Sequence, residues 1–295
     1  MGNTSREIFM EDIMVMPLDS SLLTWSEEER EFLKETISPD ENVVKERIMR
    51  IQRDQAYAYP CIRLFHFISL MMQKNAAYQR VLEAGKKGDT VLLDIGCCMG
   101  TDVRKLVRDG YPESHVLGCD LRLEYITSGY NLFEDKDSCK IRFFTADMFD
   151  IPVNAAAGSP DIPLAEISRL SDLANRVTHL YAGALYHLFD EATQYIMAIG
   201  MARLTKRNSG TVIFGRHQGM EPEGVIDDVL HAVRYGHSPE SWARLWRRVF
   251  TELEGAEFAE KRVKVEADFA ESFIWGTQAY GVLDCRMMYW SVSIL

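Results

Sequence analysis

From residue 88 onward, short and nearly unbroken apolar runs alternate with stretches of helical periodicity. The runs Thr90–Ile95, His115–Leu121, Ile141–Thr145, Val177–Ala182 and Gly210–Gly215 read as strands covered on both faces, because a half-exposed strand would alternate apolar and polar residues. Gly100–Asp109, Leu123–Phe133, Leu164–Ala174 and Glu191–Leu204 between them read as helices. Strand–helix alternation at this spacing predicts a parallel sheet joined by right-handed crossovers. After Pro239 a helix is expected over Ser241–Leu253, then two strands at Glu257–Val265 and Cys285–Ile294. In the last of these, Arg286, Met288, Trp290 and Val292 alternate with Met287, Tyr289, Ser291 and Ser293, which suits an antiparallel final pair. Asn154–Pro160 is the most loop-like stretch, and no internal repeat or low-complexity tract is present.

The first 85 residues have a different texture and read as helical. Ser26-x-x-Glu29 is a capping box, and Ser38-Pro39-Asp40-Glu41 places a cap, a first-turn proline and a box-closing acid in order. Ile48, Ile51 and Gln55 mark one face of the helix that follows. Pro60 interrupts, and Ile62, Phe65, Phe67, Ile68, Leu70 and Met71 are expected to form a strongly apolar helix. Core packing is the plainer account of those aromatics, and a lid over a pocket the alternative. The division expected is a helical segment over 1–85 and a ligand-binding domain over 86–295.

Composition changes this picture little. With 295 residues, 47% of them hydrophobic, the chain can bury a large core. A net charge of −11 argues against a nucleic-acid surface, which carries a basic stripe. The N-terminus lacks a charged segment leading into an apolar one, no run reaches about 18 apolar residues, and Arg6 stands where N-myristoylation needs Ser or Thr. A soluble, cytoplasmic protein without membrane or nucleic-acid partners is expected. The six cysteines form no Cys-x-x-Cys pair and match no zinc spacing, so no metal is expected. Adjacent Cys97 and Cys98 read as small thiols in a tight turn rather than as a redox pair.

Chemistry concentrates at the carboxyl ends of the strands, where open parallel sheets bind ligands. The first strand ends Asp94-Ile95-Gly96 and runs into the small-residue turn Cys97-Cys98-Met99-Gly100. The second ends at Asp120, the third leads to Asp147, and the fourth is followed by Tyr186-His187. Asp94 and Asp120 are 26 positions apart, and Asp120 and Asp147 are 27 apart, so three acids recur at one sheet edge. A nicotinamide site would want a cleaner Gly-x-Gly-x-x-Gly than Cys98 and Thr101 allow.

This series resembles the class I methyltransferases that use S-adenosylmethionine, over roughly residues 88–220. The resemblance implies a Rossmann-like α/β fold with a mostly parallel seven-stranded sheet, here with a helical N-terminal extension. It also implies that the turn wraps the methionine part of the cofactor, that Asp120 accepts the ribose hydroxyls, and that Asp147 meets the adenine amino group with Met148 beside the ring. Carboxylates suit these roles as multiple hydrogen-bond acceptors. On this resemblance Tyr59, Asp94, Gly96, Cys97, Gly100, Asp120, Leu121, Asp147 and Met148 form the cofactor site.

A narrower likeness rests on Tyr59-Pro60-Cys61-Ile62-Arg63, Leu93–Leu106 with its doubled cysteine, His187-Leu188-Phe189-Asp190, Gly215–Gly219 and Pro239-Glu240-Ser241-Trp242. These segments are similar to the small fungal methyltransferases of meroterpenoid and polyketide clusters, although Met99 and Thr101 stand where that motif has Phe and Gln. The likeness implies methyl transfer to a carboxylate or to an enolic or phenolic hydroxyl of a hydrophobic small molecule. His187 is the candidate base, since a hydroxyl acceptor gains from one; His179, inside a strand, reads as core. Arg216 or His217, with Arg63 and Tyr186, are the candidate acceptor-binding groups, because Arg holds carboxylates through paired hydrogen bonds. Two alternatives stay open: a cofactor-binding protein of this fold that catalyses a cyclisation or rearrangement, and a non-catalytic partner protein. The apolar N-terminal helix faces pack either on the core or on a second copy in a homodimer.

Overall fold

The computed structural model describes residues 18–54, 60–151, 162–226, 233–270 and 285–295. Nine helices are used below: α1 Glu27–Thr36, α2 Glu41–Asp54, α3 Pro60–Arg63, α4 Tyr78–Lys86, α5 Thr101–Arg108, α6 Leu123–Phe133, α7 Glu191–Leu204, α8 Pro239–Glu254 and α9 Ala256–Arg262. The strands are β1 Leu92–Ile95, β2 Val116–Asp120, β3 Arg142–Thr145, β4 His179–Gly183, β5 Val212–Gly219, β6 Gly224–Ile226, β7 Arg234–Gly236, β8 Val263–Phe269 and β9 Arg286–Ile294. The main sheet has seven strands in the order β3-β2-β1-β4-β5-β9-β8. Strands β1 to β5 run parallel, and β9 lies antiparallel between β5 and β8. The expected Rossmann-like, mostly parallel seven-stranded sheet is therefore present, with its antiparallel final pair.

Alternate residues of each strand feed opposite layers. Leu92, Val116, Tyr181 and Phe214 pack with α4, α5 and α6 residues such as Val81, Leu106 and Ile126. Leu93, Leu117, Leu180 and Ile213 pack on the other face with Met197 and Met201 of α7 and Trp242, Trp246 and Phe250 of α8. A third apolar cluster joins Phe32 and Leu33 of α1 and Ile48 and Ile51 of α2 to Phe65, Phe67, Leu70, Met99 and Phe133. The N-terminal apolar faces thus pack on α6 and on the turn after β1, within the chain itself.

Four local expectations need correction. Ser26 and Glu29 do form the capping box of α1, but α2 begins at Glu41, where the Asp40 carboxylate caps Asn42 at 2.9 Å and Ser38 only holds the Asp40 N–H at 3.2 Å. Residues 62–71 are not one helix: Phe65 is left-handed at φ 57°, so α3 stops and a 3-10 turn, His66–Ile68, follows. Leu164–Ala174 is two 3-10 turns, Leu164–Glu166 and Leu170–Leu173, because the Asp172 carboxylate reaches back to the Arg169 N–H at 3.2 Å and restarts the turn. Residues 257–262 continue as helix α9, since Gly255 at φ 91° ends α8 and opens a new helix; the strand begins only at Val263. A short hairpin of β6 and β7, with no strong alternating pattern, was absent from the sequence reading. Gln55 and the Asn154–Pro160 loop lie outside the described residues. No helix among the described residues is long and apolar enough to cross a membrane.

Candidate active site

One cavity of about 360 Å3 opens at the carboxyl ends of β1 to β5, roofed by residues 61–71. Its donor half grows from the turn after β1. The Gly96 and Cys97 N–H groups donate to Cys119 O at 2.8 and 3.0 Å, which ties the turn to β2. Cys98 takes a left-handed φ of 52° and donates its N–H to Asp120 Oδ2 at 2.8 Å. The second Asp120 oxygen accepts from Arg122 N at 3.0 Å. Gly129 of α6 makes the close approach possible, since a Cβ there would lie 2.3 Å from Met99 O.

Asp94, Asp102, Asp120 and Asp147 all line this cavity, together with Gly96, Cys97, Leu121 and Met148. Burial pushes the Asp94 carboxyl well above the usual carboxylate range, and nearby Asp102 and Asp120 push it the same way. Burial raises Asp102 to about 6 against the opposing pull of the Met72 N–H, Arg216 and the Met71 N–H. Asp120 is also raised by burial, opposed by the Arg122 and Cys98 N–H groups. The Asp147 carboxylate caps the 3-10 turn Met148–Asp150 through Phe149 N at 3.0 Å. Several acids facing one desolvated cavity is a costly arrangement that a cationic ligand relieves.

The opposite half is cationic. Arg216, the β5 residue at which the pairing with β4 ends, is 9% exposed and lines the cavity. Its Nη1 lies 3.6 Å from Met287 Sδ, its Nε has no hydrogen-bond partner among the described residues, and no carboxylate there lies within 4.0 Å. Arg234 of β7 also lines the cavity; it donates from Nη1 to His187 O and to Gln218 Oε1, both at 3.1 Å, and burial lowers it to about 10. Burial, then Arg234 and Arg216, hold His187 well below the ordinary histidine value. His66, from the roof, is lowered by burial and then by Arg216.

Several sequence expectations do not reach this cavity. His217 is 0% exposed and faces the opposite layer, where its Nδ1 accepts from Trp290 Nε1 at 2.8 Å. The reason is strand alternation: β5 runs on to Gly219, so neighbours 216 and 217 must point to opposite faces. Tyr186 is also fully buried, with its hydroxyl 3.1 Å from Met201 Sδ and its ring edge-on to Trp242 at 4.8 Å. Gly100 does not line the cavity; at φ 70° it caps α5, and a Cβ there would meet Phe143 at 2.6 Å. Arg63 is not among the lining residues, although Cys61 and Leu64 on either side are. Tyr59 lies outside the described residues. Sequence reading missed Asp102, Arg234, His66 and Gln218. Gln218 had a usable signal, since it shares the face of Arg216 two residues away.

The thiols behave as packing groups. Cys97 is buried, and burial then Asp94 raise its thiol; Cys98 is raised first by its hydrogen bond with Cys61 and then by burial. Thiols shifted this way are poor nucleophiles. His179 sits in the sheet, with Nδ1 3.0 Å from the Tyr111 hydroxyl.

The strand order, the acids at three neighbouring strand ends and the roof of N-terminal residues define a class I methyltransferase fold. A family model described as a meroterpenoid methyltransferase N-terminal domain matches residues 19–68. The chain is 31% identical to O-methyltransferase phiE of a fungal species, covering 72% of this chain and 67% of that one. It is 30% identical to methyltransferase adrK of Penicillium rubens, covering 72% and 71%. It is also 30% identical to the asnovolin E/chermesin D methyltransferase nvfJ of Aspergillus novofumigatus, covering 70% of each. The chain belongs to the family of these fungal methyltransferases.

Proposed function

We propose that this enzyme transfers a methyl group from S-adenosylmethionine to an oxygen of a hydrophobic small molecule. The acceptor group is a carboxylate or an enolic or phenolic hydroxyl on a secondary metabolite of meroterpenoid or polyketide type. One observation carries the reading: a single cavity whose donor half is lined by Asp94, Asp102, Asp120 and Asp147 and whose other half holds Arg216 and His187. The meroterpenoid methyltransferase family match over residues 19–68 and the asnovolin E/chermesin D relative support the metabolite class.

Bound in this cavity, S-adenosylmethionine supplies an electrophilic methyl on a positively charged sulfur. Asp120 accepts the ribose hydroxyls on lone pairs that its two N–H partners leave over, and Asp147 accepts the adenine amino group beside Met148 and Leu121. Gly96, Cys97 and Asp94 line the methionine end. Arg216 orients the acceptor oxygen. His187, neutral because of burial, takes the proton when that oxygen belongs to a hydroxyl; a carboxylate needs no base. Alignment and exclusion of water are the protein's main contributions to such a displacement.

We divide the chain at 85/86, with residues 1–85 as the cap and 86–295 as the cofactor-binding domain. The division is supported by the lining residues Cys61, His66, Phe67 and Met71. One chain is enough to line the cavity, and a homodimer is not required for it. We place the activity in the cytoplasm, consistent with thiols such as Cys97, Cys98 and Cys119 that form no disulfide among the described residues.

The test is incubation with labelled S-adenosylmethionine and a panel of acidic and phenolic polyketides, read by product mass. A gain of one methylene unit is expected. An isomer of unchanged mass would point to cyclisation instead, and absence of cofactor binding by calorimetry would point to a non-catalytic role.

A further inference from the structure

Asp102, in the first turn of α5, does two things at once. Its Oδ1 accepts the N–H groups of Met71 and Met72 at 2.7 and 2.8 Å, and its carboxyl also lines the cavity beside Asp94. Neighbouring bonds fix the same strip of roof: Thr101 Oγ1 donates to Phe67 O at 2.5 Å, and Leu70 N donates to Glu29 Oε1 at 3.1 Å. Residues 67–72 are therefore held by side chains of α1 and of the first turn of α5, and of the two that also line the cavity, Thr101 and Asp102, only Asp102 ionises.

We propose that Asp102 is a positioning residue that couples closure of the 67–72 roof to occupancy of the cofactor site. The inference rests on the reading of the cavity as the S-adenosylmethionine site. A carboxylate is a stronger acceptor of backbone N–H groups than a carboxylic acid. Whatever favours the ionised form of Asp102 tightens its hold on Met71 and Met72, and by linkage a tighter roof favours that form.

The groups around Asp102 make it responsive. Burial raises it to about 6, so near neutrality the acid form is still populated. Arg216 from β5 and Lys74 from the roof favour ionisation. Asp94 of β1 lines the same wall, and Asp102 raises it by like-charge repulsion. The Tyr181, Tyr78 and Tyr289 hydroxyls, from β4, α4 and β9, also feel Asp102. A cation entering the cavity acts on the pair in the opposite sense to their mutual repulsion. It draws both toward the carboxylate, releases protons, and strengthens the two bonds to the roof.

The test uses the full chain with S-adenosylmethionine as probe and two readouts. Hydrogen exchange follows the Met71 and Met72 amides, and calorimetry at about pH 6, near the Asp102 value, in two buffers of different ionisation enthalpy counts protons released. In the wild type, cofactor should raise protection of these amides by about an order of magnitude and release protons. Asp102→Asn keeps an acceptor oxygen for the two N–H groups but cannot ionise. It should hold the roof without cofactor, show no further cofactor-induced protection, and release fewer protons. The inference is overturned if the variant matches the wild type in both readouts, or if the wild type binds cofactor without protecting the roof. A wild type that binds no cofactor would overturn the functional reading as well, which separates the two failures.

Discussion

Replacing Asp120 by alanine should damage two properties that can be measured apart. Its oxygens hold the Cys98 N–H at 2.8 Å and the Arg122 N–H at 3.0 Å, and Cys98 depends on that hold because its φ is 52°. A hydrogen bond to a charged acceptor is worth about 1.5–3 kcal/mol. Burial raises the Asp120 carboxyl, so the lower end applies, and the two bonds together contribute roughly 2–4 kcal/mol. For a chain of this size that lowers the melting temperature by about 3–6 °C. The ribose hydroxyls lose their acceptor as well. Leaving them unmatched costs about 1–3 kcal/mol, or roughly 5- to 150-fold in affinity. Thermal melts and calorimetry with S-adenosylhomocysteine read the two effects, and Asp120→Asn, with one acceptor oxygen left, should fall between. Wild-type affinity in the alanine variant would refute the ribose assignment, and an unchanged melting temperature would refute the tie to the turn.

Arg216→Met should raise stability by about 1–3 kcal/mol, because it removes a buried cation that no carboxylate neutralises, while acceptor affinity drops at least about tenfold. Unchanged turnover and acceptor affinity would remove Arg216 from the site. His187→Gln should lower turnover by about 10²- to 10⁴-fold for a hydroxyl acceptor and leave a carboxylate acceptor unaffected. Since burial keeps His187 well below 6.5, a wild-type rate limb titrating at or above that value would show that another group is the base. Stability should also fall as pH drops from 6.5 toward 4. Burial holds His179 and His237 at about 4, so the unfolded chain binds protons through 6.5 that the folded one refuses. Asp94, Asp102 and Asp120, all raised by burial, work in the opposite direction, but His66, His187 and His217, also held well below 6.5, add to the two histidines and outnumber them. Melting temperatures that rise on acidification from 6.5 to 5 would contradict this balance.

How much of this was legible in the sequence follows from which signals are local. Strands β1 to β4 carry unbroken apolar runs because helices cover both faces, so their positions and the acids at their ends could be read directly. Helices α6 and α7 were legible to the residue. The roof was not, because Phe65 adopts a left-handed conformation that propensity does not announce; its apolar residues were rightly placed in the interior but wrongly placed on one helix. Arg216 and His217 show a different failure. The alternation that separates them was available, yet ending the strand at Gly215 hid it. Asp102 looked like an ordinary acid in a first helical turn, and only the fold brings Met71 and Met72 to it.

The charge layout of the cavity follows from the topology. The sheet reverses direction at β1, with β2 and β3 on one side and β4 and β5 on the other, and a crevice opens where the crossovers part. The β1–β3 half supplies the acids and the β5 half supplies Arg216, and the proposed function uses this layout to take a cationic donor and an electron-rich acceptor on opposite walls. Transfer of a methyl from a sulfonium to an anion cancels both charges. Groups that gripped those charges too firmly would stabilise the reactants more than the transition state and slow the step. Burial raises both Asp94 and Asp102, and Asp102 adds to the shift of Asp94, while Arg216 and Arg234 line the other side. On the proposed function, what such a cavity contributes is direction: acids on one wall and Arg216 on the other favour one orientation of two reactants of opposite polarity.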